Sequence, residues 1–149
     1  YLSQFKRGWS YTTIYLLRTR ANEPEHESFA LYRMDYSPKQ AAHYLHNLTT
    51  ILADNKSINH PDFFSYSIPN QPATVHDLLL QKSNGKFFLV IWGERFTGGT
   101  DMITINLGTS YHSVKIYDPT VGIFPTVLLK KVNSIELTTS DHPLIVEFD

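Results

Sequence analysis

"TVHDLLLQKSNGKFFLVIWGERF", residues 74–96, decides how the rest of this chain reads. Two apolar runs, 74–82 and 86–92, flank Ser83-Asn84-Gly85, a short polar segment of the kind that turns a β-hairpin. From Phe87 to Trp92 no polar residue interrupts, so this strand lacks the in–out alternation of a half-solvated sheet. It is expected to be covered on both faces, by an opposing sheet and by the helix expected at 38–54. Gly93 ends the run and is expected to release Glu94 and Arg95 into a loop as a mutual surface pair worth little in stability. Glu94 is either a catalytic acid delivered at a strand mouth or the solvent end of a core strand. No second carboxylate is placed near it by the sequence, so the core reading is preferred.

The same texture runs from about residue 60 to the C terminus. "FFSYSI" (63–68), "DMITINL" (101–107), "HSVKIYD" (112–118), "PTVLLKKV" (125–132), "SIELTTS" (134–140) and "PLIVEF" (143–148) are short β-type runs separated by turns. With the hairpin they amount to about eight strands and no helix, which predicts a mainly β chain whose residues 60–149 form an antiparallel β-sandwich.

Residues 1–56 differ in pattern. "YLSQFKR" (1–7) is expected to be a helix tail stopped by Gly8. "SYTTIYLL" (10–17) has the composition of a buried strand, and "FALYRM" (29–34) is a short extended stretch. Ser37 as N-cap, Pro38 in the first turn and Gln40 as capping-box partner open one long helix. Its apolar positions Ala41, Ala42, Leu45, Leu48, Ile51 and Leu52 recur at helical spacing. The expected first unit is therefore an α/β remnant over 1–56 with one long helix.

The chain has 149 residues, a formal net charge of −1 and no cysteine, which excludes disulfides, zinc–thiolate sites and cysteine nucleophiles. No basic excess points to nucleic acid, and no apolar run reaches the ~20 residues of a membrane-spanning helix. The first residue is Tyr1, consistent with a processed chain or a piece of a longer one. The sequons Asn47-Leu48-Thr49 and Asn55-Lys56-Ser57 are compatible with secretion, the expected localisation.

The segment "FKRGWSYTTIYLL…FALYRMDYSPKQAAHYLHNLTTILAD" resembles the end of a (β/α)8 glycoside hydrolase barrel of the retaining cellulase and β-xylosidase type. The resembling positions are Ala30, Leu31, Asp35, Tyr36, Ser37, Pro38, Lys39, Ala41, Ala42, Leu45, Asn47 and Leu48. "LLLQKSNGKFFLVIWGE", "KIYDPTVG" and "DHPLIVEF" are similar to the β-sandwich that follows such barrels. The resemblance implies the last barrel strand and helix joined to an appended sandwich. A whole barrel needs roughly 250 residues, and a retaining site needs two carboxyl groups about 5–5.5 Å apart. In the relatives those carboxylates belong to earlier strands, which this chain lacks. Where they often carry an acidic patch at the end of the last strand, this chain has Arg18, Thr19 and Arg20. Arginines there oppose an oxocarbenium-like transition state.

No catalytic residue, metal ligand or cofactor is assigned. Glu23, Glu25 and Glu27 with His26 are weighed as a carboxylate or cation site and taken as a solvated loop. His43 and His46, three apart on the helix, lack a third ligand. Ser140, Asp141 and His142 have triad residue types, but three consecutive residues cannot form the required line, so they are read as a turn. The glycines of "FTGGT" (96–100) have no lysine and no following helix, so no phosphate loop is inferred. Aromatic residues suit stacking on sugar rings, and Trp9, Tyr11, Tyr36, Trp92, Phe96, Tyr111 and Tyr117 are the candidates. Tyr36, Phe96 and Tyr111 are selected as a weak glycan site, the last two as loop residues, and Trp92 as a core anchor.

The leading functional expectation is a non-catalytic accessory or pseudoenzyme domain of glycoside-hydrolase ancestry. The alternatives are the C-terminal fragment of an active retaining glycosidase whose carboxylates lie upstream, and a secreted interaction or defence protein that reuses the sandwich. The expected partners are a glycan, an upstream catalytic barrel, or a second copy in a homodimer, because a strand at 10–17 has an open edge.

Overall fold

The computed structural model describes residues 1–24 and 28–149. Two helices, α1 (Leu2–Lys6) and α2 (Gln40–Leu52), precede six strands. These are β1 (Tyr66–Ser67), β2 (Val75–Gln81), β3 (Phe87–Gly93), β4 (Asp101–Tyr117), β5 (Val127–Thr139) and β6 (Leu144–Phe148). All belong to one antiparallel sheet in the order β1-β4-β6-β3-β2, with β5 on the other edge of β4.

The hairpin forms as its residues require. Gly85 N donates to Lys82 O, Lys82 N to Lys86 O, and the Asn84 side chain accepts from Lys86 N. β2 and β3 then pair from Val75↔Gly93 to Gln81↔Phe87. Along β3, Leu89 and Ile91 enter one core while Phe88, Val90 and Trp92 enter another. Both faces are therefore covered.

The inner core lies inside the curl of the sheet. Leu89 and Ile91 meet Ile103 and Ile105 of β4, Ile135 and Leu137 of β5, and Val146 and Phe148 of β6. The curl arises from two long strands rather than four short ones. The first half of β4 pairs Asp101↔Thr139 to Asn106↔Ser134, and the second pairs Tyr111↔Val132 to Ile116↔Val127, with a register shift between Asn106 and Tyr111. Such an irregularity bends a strand, so one hairpin supplies both layers. The expected runs 101–107 and 112–118 are thus one strand, as are 125–132 and 134–140, and the strand number is six rather than about eight. The expected 63–68 strand shrinks to Tyr66–Ser67, though Phe64 still reaches the core.

The curl closes at Gly93, whose N–H donates to Ser140 O at 2.9 Å. A Cβ at Gly93 would lie 2.6 Å from that oxygen, which a backbone carbonyl cannot yield without losing the bond. Gly93→Ala is therefore expected to destabilise the fold by about 1–3 kcal/mol through forced backbone displacement. Urea denaturation measures this, and an unchanged midpoint would remove Gly93 from the closure.

The second core lies outside the sheet, where Phe88, Val90, Trp92, Tyr117 and Ile145 pack against Ile51 of α2. Lys82 Nζ donates to the Ile51 carbonyl at 2.6 Å, a cation at a helix C terminus. Asn47 Nδ2 donates to Pro119 O at 2.8 Å. The helix thus docks through its apolar stripe and through polar contacts at its middle and end.

The N-terminal expectations fare unevenly. Gly8, at φ 79°, follows α1, and the bonds Gly8 N→Phe5 O and Trp9 N→Gln4 O make a Schellman ending. α2 starts at Gln40, two residues later than a Ser37 cap implies, and Lys39 occupies the cap position, its side chain donating to Ser28 O at 3.1 Å rather than capping the helix. Ser37 bonds Asp35 instead, while Pro38 bridges to Tyr32 and Lys39 N donates to Leu31 O. These extended contacts draw the first turn out of the helix. Residues 10–17 form no strand: Tyr11, Tyr15 and Leu17 are exposed, and the nearest ladder contact is a single parallel bridge, Arg18↔Tyr32. A buried strand needs neighbours on both edges, and the described residues supply almost none.

Candidate functional site

The end of β3 is the place where an acid would act. Trp92 Nε1 donates to Glu94 Oε1 at 2.9 Å, Ser3 Oγ donates to the same oxygen, and His76 Nε2 stands 3.4 Å from Oε2. These groups line a cleft of about 340 Å³ with Lys6 and Arg7 of the α1 end. The Ser3 hydroxyl first, then the Trp92 N–H, hold the Glu94 carboxyl below its ordinary value, with help from the charges of His76 and Arg7. A carboxylate so held stays ionised and is a poor proton donor.

Asp77, the neighbouring carboxylate, accepts from Tyr66 Oη at 2.6 Å, from Gln71 Nε2 at 3.0 Å and from Lys6 Nζ at 3.2 Å. Burial pushes its pKa up, but these hydrogen bonds together outweigh burial and bring it down. His76 pairs with Trp92 and Asp77 with Ile91 across the hairpin, so the pleat sends the Glu94 partner His76 and Asp77 to opposite faces. A retaining pair of carboxyls must face one gap, and Glu94, which sits with His76 and Trp92, and Asp77, on the opposite face, do not. The expected Glu94–Arg95 pair is not formed either: Arg95 Nη1 bonds Asp101 Oδ1 at 2.8 Å, and Glu94 instead clamps α1 to the sheet. Both partners come from elements distant in sequence, which pattern reading cannot see.

A larger groove, about 600 Å³, lies between α1, residues 12–14, α2 and β2. Phe5, Ile14, Leu45, Leu52, Leu78 and Leu80 dominate its wall, and Tyr1, Thr12 and Thr49 are the polar residues in its lining, the two threonine hydroxyls being bonded to Gln4 and to the α2 backbone. It carries no ionisable acid–base pair and suits apolar packing.

The aromatic candidates are separated. Tyr36 sits in the turn before α2 at φ 68°, exposed, with the Arg18 guanidinium 4.7 Å from its ring centroid. Phe96 is fully exposed in the loop between β3 and β4. Tyr111, expected in a loop, lies within β4, half-buried, with ring centroids 5.5 Å from Phe64 and 5.3 Å from Phe148. Burial raises its phenol pKa. Its face is spent on the core because β4 continues through the segment that reads as a turn. No ring contact joins these three among the described residues. Trp92 is buried, whereas Trp9 and Tyr11 are exposed.

Glu25, His26 and Glu27 lie outside the described residues; Glu23 pairs loosely with Arg20 at 3.8 Å. His43 and His46 are exposed on α2. Ser140 and His142 do make contact, Oγ to Nδ1 at 2.9 Å, and the far ring nitrogen meets Asp118 Oδ2 at 3.4 Å. The carboxylate on that far nitrogen is Asp118, which the sequence reading missed because it lies on the previous turn. Asp118 also accepts from Thr120 N and Oγ1. The line joins two turns, lies outside both clefts, and acts as a clasp.

The sequence reading also missed the cluster around Glu147. Its Oε1 accepts from Lys86 at 2.7 Å and Lys115 at 3.0 Å, and Tyr117 Oη donates to Oε2. Asp149 bridges the same two lysines. Alternation along "LIVEF" marks Glu147 as outward, and nothing local shows that this outward face is itself buried.

No protein-family model matches the chain, and no curated protein matches it.

Proposed function

We propose that this chain is a non-catalytic accessory or pseudoenzyme module of glycoside-hydrolase ancestry, which braces a catalytic barrel and binds glycan weakly. One observation carries the reading: α2 serves two layers. Ile51 closes the outer core of the β domain, while Leu45 and Leu52 line the uncharged groove with Ile14. The described residues of 1–56 bury few side chains, and Trp9, Tyr11, Tyr15 and Leu17 remain exposed. Such a segment has too little core of its own and suits contact with further barrel structure. The resemblance of this segment to a last barrel strand and helix supplies the occupant. Among the described residues the cleft holds one carboxylate, Glu94, which favours a bracing role over a catalytic one.

The reading frame upstream of Tyr1 tests this. It is expected to encode a barrel, and in that longer protein Leu45→Asp is expected to lower the barrel's melting temperature and any hydrolase activity together. A frame without a barrel, or a barrel indifferent to Leu45→Asp, would sink the bracing role. A glycan array probes the sugar-binding half: signal on β-linked glycans that weakens in Phe96→Ala is expected, and a flat array removes it.

A further inference from the structure

Two sequons lie 8 residues apart, Asn47-Leu48-Thr49 and Asn55-Lys56-Ser57, and the structure treats them differently. Asn47 sits inside α2 and its Nδ2, the atom that would carry a glycan, donates at 2.8 Å to the carbonyl of buried Pro119. Thr49 is also engaged, its hydroxyl donating to Leu45 O and His46 O within the helix. A sugar on Asn47 would wedge between α2 and the turn that holds Asp118. Asn55 instead lies just past the helix, and Asn55, Lys56 and Ser57 are all exposed. The Asn55 side chain makes no hydrogen bond to any described residue. Asp54 fixes the root of this loop by accepting from Lys56 N, from Ser83 N and from Ser83 Oγ. The acceptor therefore projects from an anchored, irregular segment, which an extended sequon needs and a helix denies.

We propose that Asn55 is an N-glycan acceptor and that Asn47 is a structural residue left unmodified. The co-reactant is a lipid-linked oligosaccharyl diphosphate. A bond forms between Asn55 Nδ2 and the anomeric carbon, the bond from that carbon to the diphosphate oxygen breaks, and the lipid diphosphate leaves as the amide nitrogen gives up one proton. The inference is independent of the bracing role.

The chain, secreted behind an added signal peptide from a eukaryotic host, is expected to carry one glycan. Enzymatic removal of that glycan should convert Asn55 to Asp in peptide mass spectra. Asn55→Gln and Ser57→Ala are each expected to abolish the glycan without moving the melting temperature. Asn47→Gln is expected to keep the glycan and lower the melting temperature. A glycan found on Asn47, a glycan that survives both Asn55→Gln and Ser57→Ala, or an unmodified secreted chain would each overturn the assignment.

Discussion

Phe148→Ala is expected to cost about 4 kcal/mol of stability, as truncation of a buried phenylalanine leaves a cavity that its neighbours fill only in part. Phe148 is buried, and its ring centroid lies 4.7 Å from Phe64 and 5.3 Å from Tyr111. It thereby joins the last strand to the segment before β1 and to the bend in β4. Losing the ring removes both contacts, so Phe64 and Tyr111 lose a shared partner. The melting temperature should fall by about 8–16 °C for a chain of this size. Phe148→Leu, which restores most of the volume, should recover over half of the loss. Calorimetry decides it: a drop below about 3 °C would show that the bend holds without this ring.

Glu147→Gln is the second large effect, at about 2 kcal/mol, because it takes a buried carboxylate's charge away from Lys86 and Lys115, which are partly exposed and are left with Asp149 alone as counter-charge. Burial alone raises the Glu147 pKa, but hydrogen bonds from Lys86, Tyr117 and Lys115 outweigh it together and bring the carboxyl below its ordinary value. The Asp149 carboxyl is lowered chiefly by the Lys86 bond. For carboxyls depressed on folding, the stabilisation is complete above their unfolded pKa, ordinarily about 4, and is lost as pH falls through the folded values. Lys86, raised chiefly by Asp149, and Lys115, raised chiefly by Glu147, contribute in the opposite sense. Their share is complete below an unfolded pKa of about 10.4 and fades as pH rises through the folded values. The native protein should therefore show a stability plateau between these limits. In Glu147→Gln the plateau should drop and the acid limb should flatten. Urea midpoints taken from pH 3 to pH 9 measure both, and an acid limb of unchanged slope would remove Glu147 from the linkage.

Parts of this architecture are legible because they depend on neighbours in sequence. Ser83-Asn84-Gly85 turns the chain, Gly8 ends α1, and the helical spacing from Ala42 to Leu52 marks α2. The unbroken run Phe87–Trp92 also announces two covered faces, since an exposed face would not be apolar throughout. The bend in β4 is different. Gly108-Thr109-Ser110 has turn composition, yet Gly108 N donates to Ser65 O and the strand continues. That bond comes from a segment 43 residues earlier in the chain, so no local window contains it. The same continuation carries Tyr111 from an expected sugar platform into the core.

The candidate sites follow the same division. The residue types at Glu94, His142 and Glu147 are visible in the chain, whereas their partners Ser3, Asp118 and Lys86 are 91, 24 and 61 residues away. The residues 10–17 show the converse: strong β composition without a strand, because a ladder is a property of two backbone segments and the described residues offer only the Arg18↔Tyr32 bridge. A mainly β chain, its central hairpin, its long helix and a strand with both faces buried are all encoded locally. Local propensity and periodicity are enough for those. The number of strands, the role of Glu94 as a clamp, the burial of Glu147 and the difference between the two sequons come from long-range packing. Each of those depends on which distant groups meet, and hydrogen bonds and burial are set by that meeting.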